Sequence, residues 1–152
     1  MTRLNGFQHV ALLTNDAERL HAFYRDVFDA EVIRTNDLHP GATLSFIDLG
    51  GGADFNVFEI EGNTEAQRQT PMFGRGRLDH VGLRAESLES FETIRDRLID
   101  KGASDGFVTD FGPMLSIFFT DPDGLEGEVC VENPDAKPGV HNPPGTPAAR
   151  YS

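Results

Sequence analysis

The sequence predicts an α+β fold in which one βαβββ unit is used twice. Three observations carry this. Phe7-Gln8-His9-Val10-Ala11-Leu12 returns as Leu78-Asp79-His80-Val81-Gly82-Leu83, at an offset of 71 residues for the two histidines. Each copy leads into an amphipathic stretch whose apolar positions keep the same offset: Ala17, Leu20, Phe23, Val27 and Phe28, then Leu88, Phe91, Ile94, Leu98 and Ile99. That spacing puts one stripe on one helix face. After each helix come three short runs of strand-forming residues separated by turn residues.

The first unit, residues 6–61, opens with a strand over 7–13. Asn15 and Glu18 predict a capping box for a helix over 16–28. Strands over 31–34, 43–49 and 55–60 follow, with Gly50-Gly51-Gly52 as the turn before the last, because glycine accepts a positive φ cheaply. Residues 62–77 are polar, hold Pro71, Gly74 and Gly76, and are read as a linker. The second unit, 78–132, repeats the order: a strand over 78–83, a helix over 88–99 stopped by Gly102, a strand around 106–108, then strands over 114–120 and 125–131. Asp121-Pro122-Asp123-Gly124 joins the last two as a hairpin turn. Residues 1–132 therefore form one two-module domain. The remainder, 133–152, carries five prolines and little that could be buried, so it is expected to be a flexible tail, free or laid over a neighbour.

Composition narrows the partners. With 25 acidic and 13 basic residues the chain carries a formal charge of −12, which repels nucleic acid and anionic membranes. Its single cysteine, Cys130, excludes an intrachain disulfide, fits a reducing compartment and reads as a small core residue. No apolar run approaches the ~18 residues of a membrane span, and the polar start shows no export signal. A cytoplasmic protein is expected.

Strand alternation selects the candidate site. Val10 and Leu12 oppose His9 and Ala11, and Val81 and Leu83 oppose His80 and Gly82. If the helix covers the aliphatic face, both histidines point to the open one. In the last strand of each unit Phe58 and Ile60 oppose Glu59 and Glu61, while Val129 and Val131 oppose Glu126 and Glu128. His9, Glu59, His80 and Glu128 are thus the predicted metal ligands, with Glu61 and Glu126 competing for the carboxylate positions. Two imidazoles and two carboxylates suit one divalent ion of iron, nickel, zinc, cobalt or manganese better than calcium or magnesium. A single strand histidine is usually a surface residue; its repetition at a fixed offset raises the metal reading above that. His21, His39 and His141 lie outside the pattern and are read as solvated. Arg75 and Arg77 could meet a substrate carboxylate, although exposed linker arginines usually bind nothing in particular.

With His9 opening the first strand, the Leu78-Asp79-His80-Val81-Gly82-Leu83 segment, the turn Phe118-Phe119-Thr120-Asp121-Pro122-Asp123-Gly124 and Glu128 four residues beyond Gly124, the chain resembles the vicinal oxygen chelate superfamily over residues 6–132. Glyoxalase I, extradiol ring-cleaving dioxygenases and fosfomycin and bleomycin resistance proteins belong to it. The resemblance implies paired βαβββ modules curved around a metal-binding cup, substrates held through vicinal oxygens, and a symmetric homodimer. Two positions depart from it. Gly127 replaces an aliphatic residue, which predicts a looser strand, and Leu125 replaces an asparagine.

Three functions follow. A His, Glu, His, Glu set resembles the glyoxalase arrangement, a lyase or isomerase in which the metal polarises an enolate oxygen and a carboxylate, Glu59 or Glu128, moves the proton. A ferrous extradiol dioxygenase needs only His9, His80 and Glu128, together with an acid/base histidine or tyrosine that the sequence does not clearly offer. A ligand-sequestering resistance protein would generally lack the metal ligands. The lyase or isomerase reading, on a small oxygen-bearing substrate, is favoured. Twelve phenylalanines and no tryptophan permit an apolar lining, with Phe46, Phe55, Phe118 and Phe119 among the candidates.

Overall fold

A computed structural model describes residues 2–67, 70, 74, 78–136 and 149–151. Arg75, Arg77, Phe73 and His141 lie outside the described residues. The chain divides into two compact units, Met1–Gln69 and Thr70–Ser152, each of which builds its own sheet.

In the first unit β1 (His9–Thr14) is followed by α1 (Ala17–Phe28), β2 (Val32–His39), β3 (Ala42–Asp48) and β4 (Asp54–Ile60). The sheet order is β1-β4-β3-β2, with β1 parallel to β4 and the other neighbours antiparallel. The predicted capping box is replaced by a simpler cap: the Asp16 carboxylate, not Asn15, accepts from the Arg19 N–H at 2.9 Å. The predicted stripe is the buried one, and Leu20, Phe23 and Val27 are joined by Tyr24, which is fully buried. Tyr24 meets Phe55 edge to face at 5.2 Å, and Ile47 and Val57 complete this core. Strand β2 is twice as long as expected and exposed along its whole length, because it is the outer strand of its sheet.

The second unit contains β5 (Val81–Arg84), α2 (Leu88–Asp100), β6 (Val108–Asp110), β7 (Met114–Thr120), β8 (Glu126–Glu132) and β9 (Ala149–Tyr151). Its order is β5-β8-β7-β6-β9. Ser87 caps α2 by accepting from the Ser90 N–H at 3.1 Å. In the β7–β8 turn the buried Asp121 carboxylate accepts from the N–H groups of Asp123 and Leu125, each at 2.9 Å. The end of the tail corrects an expectation, since Ala149–Tyr151 pairs antiparallel with β6. All five prolines precede this segment, so its own N–H donors are intact and can join a ladder.

Gly127 does not loosen β8. It lies opposite Phe119, whose ring is 4% exposed, and a Cβ on Gly127 would stand 2.2 Å from Phe119 Cζ. The ring occupies the volume that an aliphatic side chain would take.

His21 is only partly solvated. It faces inward from α1, with Nε2 2.6 Å from Ser45 Oγ on β3, and burial lowers its pKa below the ordinary 6.5, outweighing the neighbouring carboxylates of Glu18 and Glu59. Below about pH 6.5 the unfolded chain therefore binds the extra proton more readily than the native one. The stability due to neutral His21 is present above that pH and is lost as pH falls through the lower native value. We expect the melting temperature of the protein to fall faster than that of His21→Gln between pH 7 and pH 5; parallel curves would refute this.

Candidate metal centre

Parallel strand pairing puts His9 opposite Asp54, Ala11 opposite Asn56 and Thr14 opposite Glu59. Paired residues share a face. Val10, Leu12 and Thr14 therefore lie with Phe55, Val57 and Glu59 on the α1 side, and Phe55 and Val57 are buried there. His9, Ala11, Asp54 and Asn56 lie on the other, open face. Glu59 is thus turned away from His9 and sits at the opposite end of the strand pair, where its Oε2 accepts from the Ala17 N–H at 2.7 Å. A carboxylate there meets the unpaired amides and positive end of α1. Glu61 is exposed beside the Gly41 turn, where its N–H donates to the Gly41 carbonyl at 2.7 Å. Neither glutamate shares the face of His9 in the way the sequence suggested.

In the second unit Gly82 pairs with Glu128 as Ala11 pairs with Asn56 in the first. The register counterpart of Glu128 is therefore Asn56. Its Oδ1 is buried without a hydrogen-bond partner, as is Oδ1 of Asp54.

The second unit assembles a partial donor set. His80 Nε2 stands 3.5 Å from Glu128 Oε2, with side chains 30% and 13% exposed. Nδ1 of His80 lies 2.8 Å from Asp79 Oδ2; a proton held there would leave Nε2, which faces Glu128, as the nitrogen that can bind a metal. A carboxylate behind a histidine in this way fixes the tautomer of a metal ligand. Two ligands at about 2.0–2.2 Å from one ion, at angles between octahedral and tetrahedral, are separated by roughly 3.0–3.5 Å, which the pair matches. Glu128 Oε1 accepts from Ser116 Oγ at 2.5 Å. Cys130, read from the sequence as a core residue, shares the face of Glu128 rather than that of Val129 and Val131. Its thiol is pushed up to about 11, first by burial and then by Glu128, so it remains protonated.

Among the described residues no three His, Cys, Asp or Glu side chains are grouped so as to hold a metal ion by themselves; His80 and Glu128 provide two donors. His9 lies on the open face of the first unit, exposed, its Nδ1 against Gln8 Oε1. Glu126 lies one pleat from Glu128, opposite Thr120, and lines a separate groove with Ser104 and Phe107. The larger groove of the first unit, about 1030 Å³, is lined by Asp37, His39, Glu59 and Glu61, away from the end of β1 that holds His9.

The family profile of the Glyoxalase/Bleomycin resistance protein/Dioxygenase superfamily matches residues 6–129. The chain belongs to this superfamily. No curated protein matches it. Among solved structures it is similar to a glyoxylase/bleomycin resistance protein/dioxygenase domain from Frankia sp. EAN1pec, with 22% identity, a TM-score of 0.70, and coverage of 87% of this chain and 95% of that one. It is also similar to Leishmania major glyoxalase I, described as trypanothione-dependent (19%, TM-score 0.61, 85% and 88%). A third is the fosfomycin resistance protein FosX from Listeria monocytogenes (19%, TM-score 0.60, 88% and 96%). At these identities the likeness establishes the superfamily fold. Members of the superfamily bind small-molecule substrates, typically with a divalent metal, and often act as dimers.

Four residues were not singled out from the sequence: Asp79, Asn56, Ser116 and Arg34. The last belongs to a row that crosses the first sheet, with Ala11 paired to Asn56, Asn56 to Phe46 and Phe46 to Arg34. Its guanidinium stacks on the Phe46 ring at 4.0 Å, which puts a cation on the face of His9. Strand alternation offers Asn56 only as one of two choices, on the face opposite Phe55 and Val57, and nothing local marks Arg34.

Proposed function

We propose that the protein is a metal-dependent enzyme of the lyase or isomerase type, acting on a small substrate that binds through two neighbouring oxygens. The observation that carries this reading is the His80–Glu128 pair, with Asp79 directing the free imidazole lone pair toward the carboxylate. His9 is assigned as the third ligand because the repeat gives it the place in β1 that His80 has before β5. The set becomes two imidazoles and one carboxylate, and Glu59 leaves it. A divalent cation held there would supply Lewis acidity, polarising a substrate oxygen. Asp79 fixes the His80 tautomer, and Glu128 supplies the negative charge and a proton-accepting oxygen.

A two-histidine, one-carboxylate set is also that of ferrous ring-cleaving dioxygenases, and the withdrawal of Glu59 favours this second reading more than the sequence did. Against it stands the supply of acid/base groups: Tyr24 is sealed in a core and His21 is turned to Ser45. An oxygen electrode with anaerobically iron-loaded protein and a panel of catechols separates the two. We expect no oxygen uptake; rapid uptake with a yellow ring-opened product would establish the dioxygenase. Metal content of untagged protein tests the shared premise, and protein that binds ligand but no metal would support the sequestering alternative.

We further propose a cytoplasmic homodimer. The exposed outer strand β2, with Ile33 62% exposed, presents an unpaired edge of the kind that proteins cover or blunt. Light scattering at micromolar concentration should give twice the 16.7 kDa chain mass; a monomer would overturn the assembly.

A further inference from the structure

The carboxylate of Glu128 is held from behind. Ser116 lies on β7 opposite Cys130 and one pleat from Phe118, which is itself opposite Glu128. It is fully buried, and its hydroxyl lies 2.5 Å from Glu128 Oε1. An ionised carboxylate can only accept, so the serine is the donor. The Cys130 thiol, opposite Ser116 on the neighbouring strand, stands on the same side. The other carboxylate oxygen, Oε2, is the one directed at His80 Nε2. The two oxygens therefore have separate tasks: one is engaged by the protein, and one faces the imidazole.

We propose that Ser116 is a positioning residue that makes Glu128 a one-oxygen ligand, leaving a coordination position for a substrate oxygen that a two-oxygen carboxylate would otherwise fill. The inference rests on the reading that His80 and Glu128 hold a divalent cation. Its physical basis is that a charge-assisted hydrogen bond occupies Oε1 and fixes the carboxylate plane. A buried hydroxyl has no solvent to turn to, so this donor stays aimed at Glu128. The first unit has no equivalent: Asn56 stands in the place of Glu128, and the position facing it as Ser116 faces Glu128 is Leu44. The device thus belongs to the one unit whose carboxylate is in ligand position.

The experiment uses cobalt(II) alone, added to the metal-free full chain, for the wild type, Ser116→Ala and Ser116→Thr. Visible absorption reports coordination number, because the bands of cobalt(II) weaken as ligands are added, and a competing chelator reports affinity. The wild type should bind cobalt. In Ser116→Ala the released Oε1 should join the ion, weakening the visible bands, and affinity should shift by about ten-fold or more, the scale expected when a partner of a metal ligand is lost. Ser116→Thr keeps the hydroxyl and should restore the wild-type spectrum. Melting temperatures of the metal-free forms separate a spectral change from unfolding. A Ser116→Ala protein with wild-type spectrum and affinity would overturn the positioning role alone, whereas a wild type that takes up no cobalt would overturn the metal reading and this inference with it.

Discussion

Replacing His80 with alanine should remove tight metal binding while leaving the fold intact. A structural zinc site releases about 10–16 kcal/mol over four ligands, so one ligand is worth roughly 2.5–4 kcal/mol, or about 10²–10³-fold in affinity. His80 is partly exposed, precedes β5 and meets Phe118 edge to face at 6.1 Å between ring centroids. The cores around α1 and α2 do not use it. Circular dichroism and melting temperature should therefore stay close to those of the parent, while metal is lost on dialysis against a chelator. Stoichiometric metal in His80→Ala after that dialysis would remove this residue from the site. Glu59→Gln gives the contrast. Its carboxylate faces the N-terminus of α1, so metal affinity should be unchanged and stability should fall by about 0.3–1 kcal/mol. If Glu59→Gln instead lost metal as His80→Ala does, the strand register deduced for β4 would be wrong.

The second large effect is expected at Gly127. An alanine there puts a methyl group 2.2 Å from the Phe119 ring, which is itself only 4% exposed. Overpacking of this kind costs about 1–3 kcal/mol, and at this chain length each kcal/mol lowers the melting temperature by roughly 2–4 °C. Phe119→Leu empties the contested space. It should be destabilising alone as a large-to-small change, but the double variant should be more stable than the sum of the two losses predicts. Additive losses would mean that the ring and the glycine do not depend on each other. The first unit solves the same packing problem in reverse: Phe55 stands at the register position of Gly127, and Ile47 at that of Phe119.

Much of this was legible along the chain. The histidine repeat, the two apolar helical stripes and the order of strands needed only local periodicity, and the α+β architecture followed from them. In β8 the alternation was unambiguous, because Val129 and Val131 are apolar and Glu126 and Glu128 are not. The same rule already assigned Cys130 to the side of Glu128, although its neighbours made it look like core. In β4 the rule had no single answer. Phe55 and Val57 are apolar on one face and Phe58 and Ile60 on the other, so either set could have been the buried one, and with it either Asn56 or Glu59 the residue beside the histidine. Only pairing with β1 decided the matter, by putting Phe55 and Val57 under α1 and leaving Asn56 on the face of His9. Strand alternation names two faces but cannot say which is covered. That choice depends on where the helix lies, and it is made by contacts between residues some forty positions apart, such as Ala17 with Glu59.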